Sequence, residues 1–225
     1  MIYLILVVIL LGLYYLFMSP SSQLFGKFPS RIKTDEKIIY LTFDDGPNEP
    51  YTSEIVDYLN SKKIKATFFV VGKCAKLQPN TLQKIAKSGH TIGNHTMSHS
   101  FIQYFKTPGM KKQIIENQNI IQSITGITPQ FFRPPWLFRQ PILLKSANNL
   151  GLKPISGVFC HPLEVFQIDA AKIASKAIKQ ARPGQIIIFH DGYNSKGANR
   201  RQTVEALKLT VEALSKKGYT FKPLN

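Results

Sequence analysis

The hydrophobic pattern of this chain falls into two regimes. Residues 2–18 form an uncharged, nearly unbroken apolar run, apolar on every face of a helix, which suits lipid on all sides better than a half-buried surface helix. As a helix rising 1.5 Å per residue the run would be about 26 Å long, inside the membrane-spanning range. Beyond residue 36, short apolar runs alternate with amphipathic ones. The runs Ile38–Phe43, Ala66–Val71, Thr91–Gly93, Phe131–Arg133, Leu152–Val158, Gln185–His190 and Tyr219–Pro223 read as strands. The stretches Ser53–Ser61, Thr81–Ser88, Lys111–Thr125, Pro141–Leu150, Ala170–Ala181 and Gln202–Lys217 read as helices. Gly89, Gly126, Gly151 and Gly218 stand just past four of these, where a helix end favours a left-handed residue.

Such alternation predicts an α/β protein with a mainly parallel sheet. The strands are apolar throughout rather than alternating, as expected of a sheet buried on both faces. Periodicity alone does not separate a closed barrel from an open sheet. The chain divides into an apolar segment at 1–18, a Ser-, Pro- and Lys-rich tether at 19–35, and one domain at 36–225, with no internal repeat.

Polar residues gather where the strands end. Asp44 and Asp45 close the first apolar run just before Gly46-Pro47. Charged side chains at the end of a buried strand are costly unless a partner holds them, and a metal ion is the natural partner for paired carboxylates. His95 and His99 follow the strand at Thr91–Gly93, and on a helical turn their spacing would put both on one face. With one carboxylate they would supply three ligands and leave a fourth position for water, the pattern of a catalytic zinc site. Arg133, with Pro134, Pro135 and Trp136, ends another apolar stretch, and His190 tips the strand Gln185–His190. Each cluster alone has an ordinary structural reading as a turn, a cap, a proline-rich loop or a strand-end histidine. Four of them at the same end of successive strands point to one site.

The segments Thr42-Phe43-Asp44-Asp45-Gly46-Pro47, His95-Thr96-Met97-Ser98-His99, Arg133-Pro134-Pro135-Trp136 and Ile188-Phe189-His190 resemble, in order, the motifs of the polysaccharide deacetylases with a NodB homology domain (carbohydrate esterase family 4). The resemblance covers roughly residues 36–225. It implies a distorted, incomplete, seven-stranded (β/α) barrel, here preceded by a transmembrane helix. It also implies a divalent metal, zinc above all, held by Asp45, His95 and His99, with Asp44 as general base, Arg133 as its ion-pair partner, the backbone N–H of Trp136 facing the oxyanion, and His190 as general acid. The implied reaction is metal-dependent N-deacetylation of N-acetylglucosamine-type units in peptidoglycan, a chitin-like oligomer or a lipid-linked sugar. De-O-acetylation of a polysaccharide and a membrane-tethered, glycan-binding pseudoenzyme are the alternatives.

The chain departs from that family at two places. Leu137 follows Trp136 where many members have Gly, and the stretch Ser156–Glu164 lacks the Asp that many relatives use to raise the pKa of the acid histidine. Glu164 is a substitute if its loop folds back, with His161, Asp191 and Asp169 as other candidates. An unpartnered His190 would be less protonated at neutral pH and would favour acid conditions.

The net charge of +16, from 29 Lys and Arg against 13 Asp and Glu, favours anionic surfaces. The basic residues are scattered at helix ends with no nucleic-acid motif, so a nucleic-acid partner is not expected. No basic residue precedes the apolar run and no Ala-x-Ala follows it, so residues 2–18 read as an uncleaved membrane anchor rather than a signal peptide. Lys27, Arg31, Lys33 and Lys37 would favour a cytoplasmic domain, whereas the family resemblance implies an extracytoplasmic one facing the wall polymer. Cys74 and Cys160 are too few for a disulfide framework.

Overall fold

The computed structural model describes residues 1–106 and 108–225. In chain order the elements are α1 (Ile2–Phe17), β1 (Ile38–Asp44), α2 (Tyr51–Ser61), β2 (Thr67–Val70), α3 (Gly72–Leu77), α4 (Pro79–Lys87), β3 (Thr91–Asn94), α5 (Gly109–Thr125), β4 (Phe131–Phe132), α6 (Pro141–Asn149), β5 (Lys153–Pro154), β6 (Val158–Phe159), α7 (Ala170–Gln180), β7 (Gln185–His190), α8 (Arg201–Lys216) and β8 (Thr220–Phe221). The strands form one sheet in the order β5-β4-β3-β2-β1-β7-β6, with β8 also paired to β1. Among the described residues every pairing between these strands is parallel, and a lone antiparallel bridge joins Arg31 to Gln185 of β7.

The stretch Leu152–Val158, read from sequence as one strand, is two. β5 and β6 lie on opposite edges of the sheet, and Ile155–Gly157 carry the chain across the opening between them. That opening makes the barrel incomplete. A Cβ on Gly157 would lie 2.7 Å from Ile188 Cγ1, so only glycine fits where the crossing chain presses on β7.

Side-chain alternation along β1 sorts its residues into two layers. Ile39, Leu41 and Phe43 pack outward into the main core with Ile55, Val56 and Leu59 of α2 and Val204, Leu207 and Val211 of α8. Ile38 and Tyr40 point the other way, into a smaller cluster with Phe69, Phe131, Ile155 and Ile186. Thr42 and Asp44 continue this inner row. The register sets Asp44 opposite His190 on one side and Phe69 on the other, which brings the strand C-termini to a common rim.

The N-terminal region departs from two expectations. α1 ends at Phe17, ahead of Ser19-Pro20, and its 16 residues span roughly 24 Å against a hydrocarbon core of about 30 Å. No helix among the described residues is long and apolar enough to cross a membrane, so the membrane-spanning helix expected at residues 2–18 is not borne out. Residues 19–35, read from composition as a tether, pack against the domain. Ser22 and Phe28 are buried, and Ile32 N–H donates to the Gly184 carbonyl at 2.9 Å.

Candidate active site

β1 delivers the two carboxylates in different directions. Asp44 is the last strand residue and faces the barrel interior, while Asp45 has a left-handed backbone (φ 74) that turns its side chain toward β3. The turn is tight, since a Cβ on Gly46 would lie 2.0 Å from Asp191 Oδ2. Asp191 Oδ2 accepts a 2.5 Å hydrogen bond from Thr52 Oγ1, and burial raises its carboxyl to about 7.

His95 and His99 converge on Asp45, but not from a helical turn. The segment is an irregular loop with Thr96 and His99 both left-handed (φ 69 and 49), because local side chains capture its backbone groups. Asn94 Oδ1 accepts from Thr96 N at 2.9 Å, and Gln113 Oε1 of α5 accepts from Ser98 N at 2.8 Å and Ser98 Oγ at 2.6 Å. The Thr96 and Met97 carbonyls accept from Gly72 and Lys73 at the start of α3. The resulting loop places His95 Nε2 at 3.3 Å and His99 Nε2 at 3.1 Å from Asp45 Oδ1.

These three residues fit a cation. Asp45 Oδ1 is buried without a hydrogen-bond partner. His95 Nδ1 lies 2.7 Å from the Arg133 carbonyl, which can only accept, so Nδ1 carries the proton and Nε2 turns a lone pair toward Asp45. Two acceptors so close repel each other unless positive charge lies between them. All three ligand atoms lie within 4.8 Å of one another. Tetrahedral zinc with bonds of about 2.0–2.1 Å separates neighbouring ligand atoms by roughly 3.4 Å, close to the separations found.

Arg133 joins this group to the barrel opening. Fully buried, it donates from Nη1 to Asp44 Oδ1 at 2.7 Å and to Thr42 Oγ1 at 2.8 Å, and from Nη2 to the Ser156 carbonyl at 2.8 Å. Nε reaches the Ile155 carbonyl at 3.3 Å, and the guanidinium lies 4.1 Å from the centre of the Phe69 ring. The carbonyls of the crossing segment have no strand neighbour there, and the guanidinium takes that neighbour's place while fixing Asp44.

His190, across the rim, pairs with Glu164. Glu164 is fully buried, its Oε2 lies 2.7 Å from His190 Nδ1, and its Oε1 accepts from Thr203 Oγ1. Burial would lower the imidazole pKa, but the Glu164 charge and hydrogen bond, helped by Asp45 and Asp44, raise it to about 9. Of the carboxylates considered from the sequence, Glu164 is the one that meets His190. Asp169 caps α7 through Lys172 N at 3.1 Å, Asp191 bonds Thr52, and His161 accepts from Leu163 N at 3.0 Å.

A cleft of about 420 Å³ opens over Asp44, Asp45, His95, His99 and His190. Its walls include Trp136, 39% exposed and 4.4 Å from the His99 ring centre, and Phe159, stacked on His190. Tyr193 and Asn194, on the loop after β7, also line it. Sequence reading missed these two, along with Thr42, Thr52 and Thr203. Thr42 opens the Asp44-Asp45 motif, and Tyr193 and Asn194 lie just past the His190 motif, usable signals; Thr52 and Thr203 carry none.

A family model for polysaccharide deacetylase matches residues 31–155. The chain is 32% identical over 191 residues to a peptidoglycan-N-acetylglucosamine deacetylase of Bacillus cereus, covering 84% of this chain and 87% of that one. It is also 32% identical over 199 residues to a chitooligosaccharide deacetylase of Rhizobium leguminosarum, covering 85% and 92%. Its fold matches the crystal structure of the Bc1960 peptidoglycan N-acetylglucosamine deacetylase with a TM-score of 0.79 at 31% identity, over 85% of this chain and 88% of that one. The chain belongs to the polysaccharide deacetylase family.

Proposed function

We propose that this protein removes N-acetyl groups from N-acetylglucosamine-type units of a polysaccharide, with a divalent metal, zinc by preference, held by Asp45, His95 and His99. The observation that carries the reading is the buried, unpartnered Asp45 Oδ1 facing two imidazole nitrogens, with Asp44 and His190 at the same rim. Peptidoglycan is the favoured polymer on the strength of the relatives' activities, and a domain acting on it would work outside the cytoplasmic membrane.

When bound, the metal supplies Lewis acidity to a water and to the acetyl carbonyl. Asp44, kept oriented by Arg133, accepts the proton as the water oxygen bonds to the carbonyl carbon. The Trp136 N–H finds no acceptor among the described residues and donates to the developing oxyanion, an arrangement that stabilises charge where it forms. His190 then gives its proton to the nitrogen as the carbon–nitrogen bond breaks, releasing acetate and a free amine. An amine leaves poorly unless protonated, so the investment of a buried glutamate in His190 favours an amide over an ester substrate.

Two expected results test this reading. The metal-stripped full-length chain should release no acetate from N-acetylglucosamine oligomers or peptidoglycan, and zinc should restore release at one ion per chain. Absence of acetate from every N-acetylated substrate at full zinc loading would refute it. In Glu164→Gln the alkaline limb of the kcat/KM profile should move to lower pH. The acid must be protonated, so activity is lost as pH rises through the His190 pKa, which the Glu164 charge and hydrogen bond push up; removing the Glu164 charge lowers that pKa. An unmoved limb would show that His190 is not the group titrating there.

A further inference from the structure

The oxyanion-facing turn is strained. Trp136 and Leu137 are consecutive non-glycine residues in the left-handed region, at φ 57 and 56, and such a pair persists only where its surroundings impose it. The turn's own bonds, from Leu137 N to the Pro134 carbonyl and from Phe138 N to the Pro135 carbonyl, each at 3.0 Å, do not account for it, since ordinary right-handed turns make the same ones.

The remaining constraint comes from Arg139 and from the N-terminal segment. Arg139 is fully buried and pairs with no carboxylate among the described residues. Its Nη1 donates to the Leu137 carbonyl at 3.2 Å and its Nη2 to the Ser19 carbonyl at 2.7 Å, while its backbone N donates to the Phe17 carbonyl at 3.0 Å. The guanidinium lies 5.1 Å from the centre of the Phe28 ring, and Nε has no partner. A buried cation satisfied only by carbonyls is a poor contributor to stability, so its value lies in what it holds in place. The Leu137 side chain packs against Phe28, Leu144 and Ile188, and the Phe17 ring stacks on Phe138 at 5.7 Å. The same segment reaches the other side of the site, because the Pro29 carbonyl accepts from Ser156 N at 3.0 Å, and the Ser156 carbonyl accepts from Arg133.

We propose that residues Phe17–Phe28 are a positioning strap for the reaction, acting through Arg139 to hold the Trp136–Leu137 turn in the conformation that aims the Trp136 N–H at the oxyanion. The strap touches neither substrate nor metal. It rests on the deacetylase reading above, and it makes the segment leading from α1 a working part of the active site.

The test uses the full-length chain carrying Arg139→Gln. Losing alignment of one oxyanion donor should lower kcat by about 10- to 100-fold, with KM and bound zinc unchanged. Amide hydrogen exchange should accelerate at Leu137 and Phe138, whose N–H groups are hydrogen-bonded in the turn, and stay unchanged in β1 and β7. Arg139→Lys, which can still reach the Ser19 carbonyl, should recover part of the lost rate. A folded Arg139→Gln protein with native kcat and native exchange at Leu137 and Phe138 would overturn the proposal, and so would a uniform rise in exchange with kcat, KM and zinc content all impaired. Should Arg139→Gln fail to fold, Phe17→Ala in the full chain loosens the same turn through Phe138 and is read identically. An inactive wild-type chain would count against the deacetylase reading alone, because the exchange result stands without turnover.

Discussion

Asp44→Asn is expected to lower kcat on an N-acetylated oligosaccharide by about 10²- to 10⁴-fold, the range ascribed to a positioned general base. The substitution is nearly isosteric, and the Asn oxygen can still accept from Arg133 Nη1, which lies 2.7 Å from Asp44 Oδ1 in the native site. Thr42 Oγ1 and the Ser156 carbonyl keep the guanidinium in place on its other sides. The amide, however, cannot take a proton from water. Bound zinc should remain stoichiometric, because the ligands proposed for it are Asp45, His95 and His99, and KM should change little. Acetate release and zinc content measured on the same sample check the prediction. A variant retaining kcat within about tenfold of the native enzyme would remove Asp44 from the role of base.

Arg133→Met should damage the protein as well as the reaction. The native guanidinium is fully buried and serves four acceptors at once: Asp44, Thr42, Ile155 and Ser156. Methionine fills part of the volume but leaves Asp44 as an uncompensated buried charge and strands two carbonyls of the segment crossing the barrel opening. Breaking a buried ion pair by removing one partner costs about 3–5 kcal/mol. For a domain of this size that corresponds to a fall in Tm of roughly 10 °C. Arg133→Lys should rescue little, since one ammonium cannot reproduce the planar fork. Thermal melting followed by circular dichroism decides the matter, and a native Tm in Arg133→Met would mean that the crossing segment is held by something else.

The parts of the site differ in how far they could be read from the chain. Asp44, Asp45, His95, Arg133 and His190 were legible because each lies at or just past the end of an apolar run, where polar groups are costly without a partner, and His99 through its spacing from His95. The local geometry of two of them was not. His95 and His99 sit on a loop rather than a helical turn, because Asn94, Gln113 and α3 claim its backbone groups. The short helix α3 at Gly72–Leu77 left no usable periodicity. The stretch Leu152–Val158 had strand composition, but sheet edges are chosen by neighbours, and its two halves found partners on opposite sides.

The alternation of strands and helices, the buried parallel sheet and the side chains available for chemistry are written in the chain. All of these follow from spacings of a few residues, over which the backbone geometry is fixed. Which distant groups meet is set only when the chain closes on itself. Glu164 reaches His190 across 26 positions, Arg133 reaches Asp44 across 89, and Arg139 reaches the Ser19 carbonyl across 120. Such pairings depend on how loops close and which buried charges need partners, so a segment with the composition of a tether became part of the domain. Buried polar groups must be satisfied by whatever the fold brings near, and composition does not record that proximity.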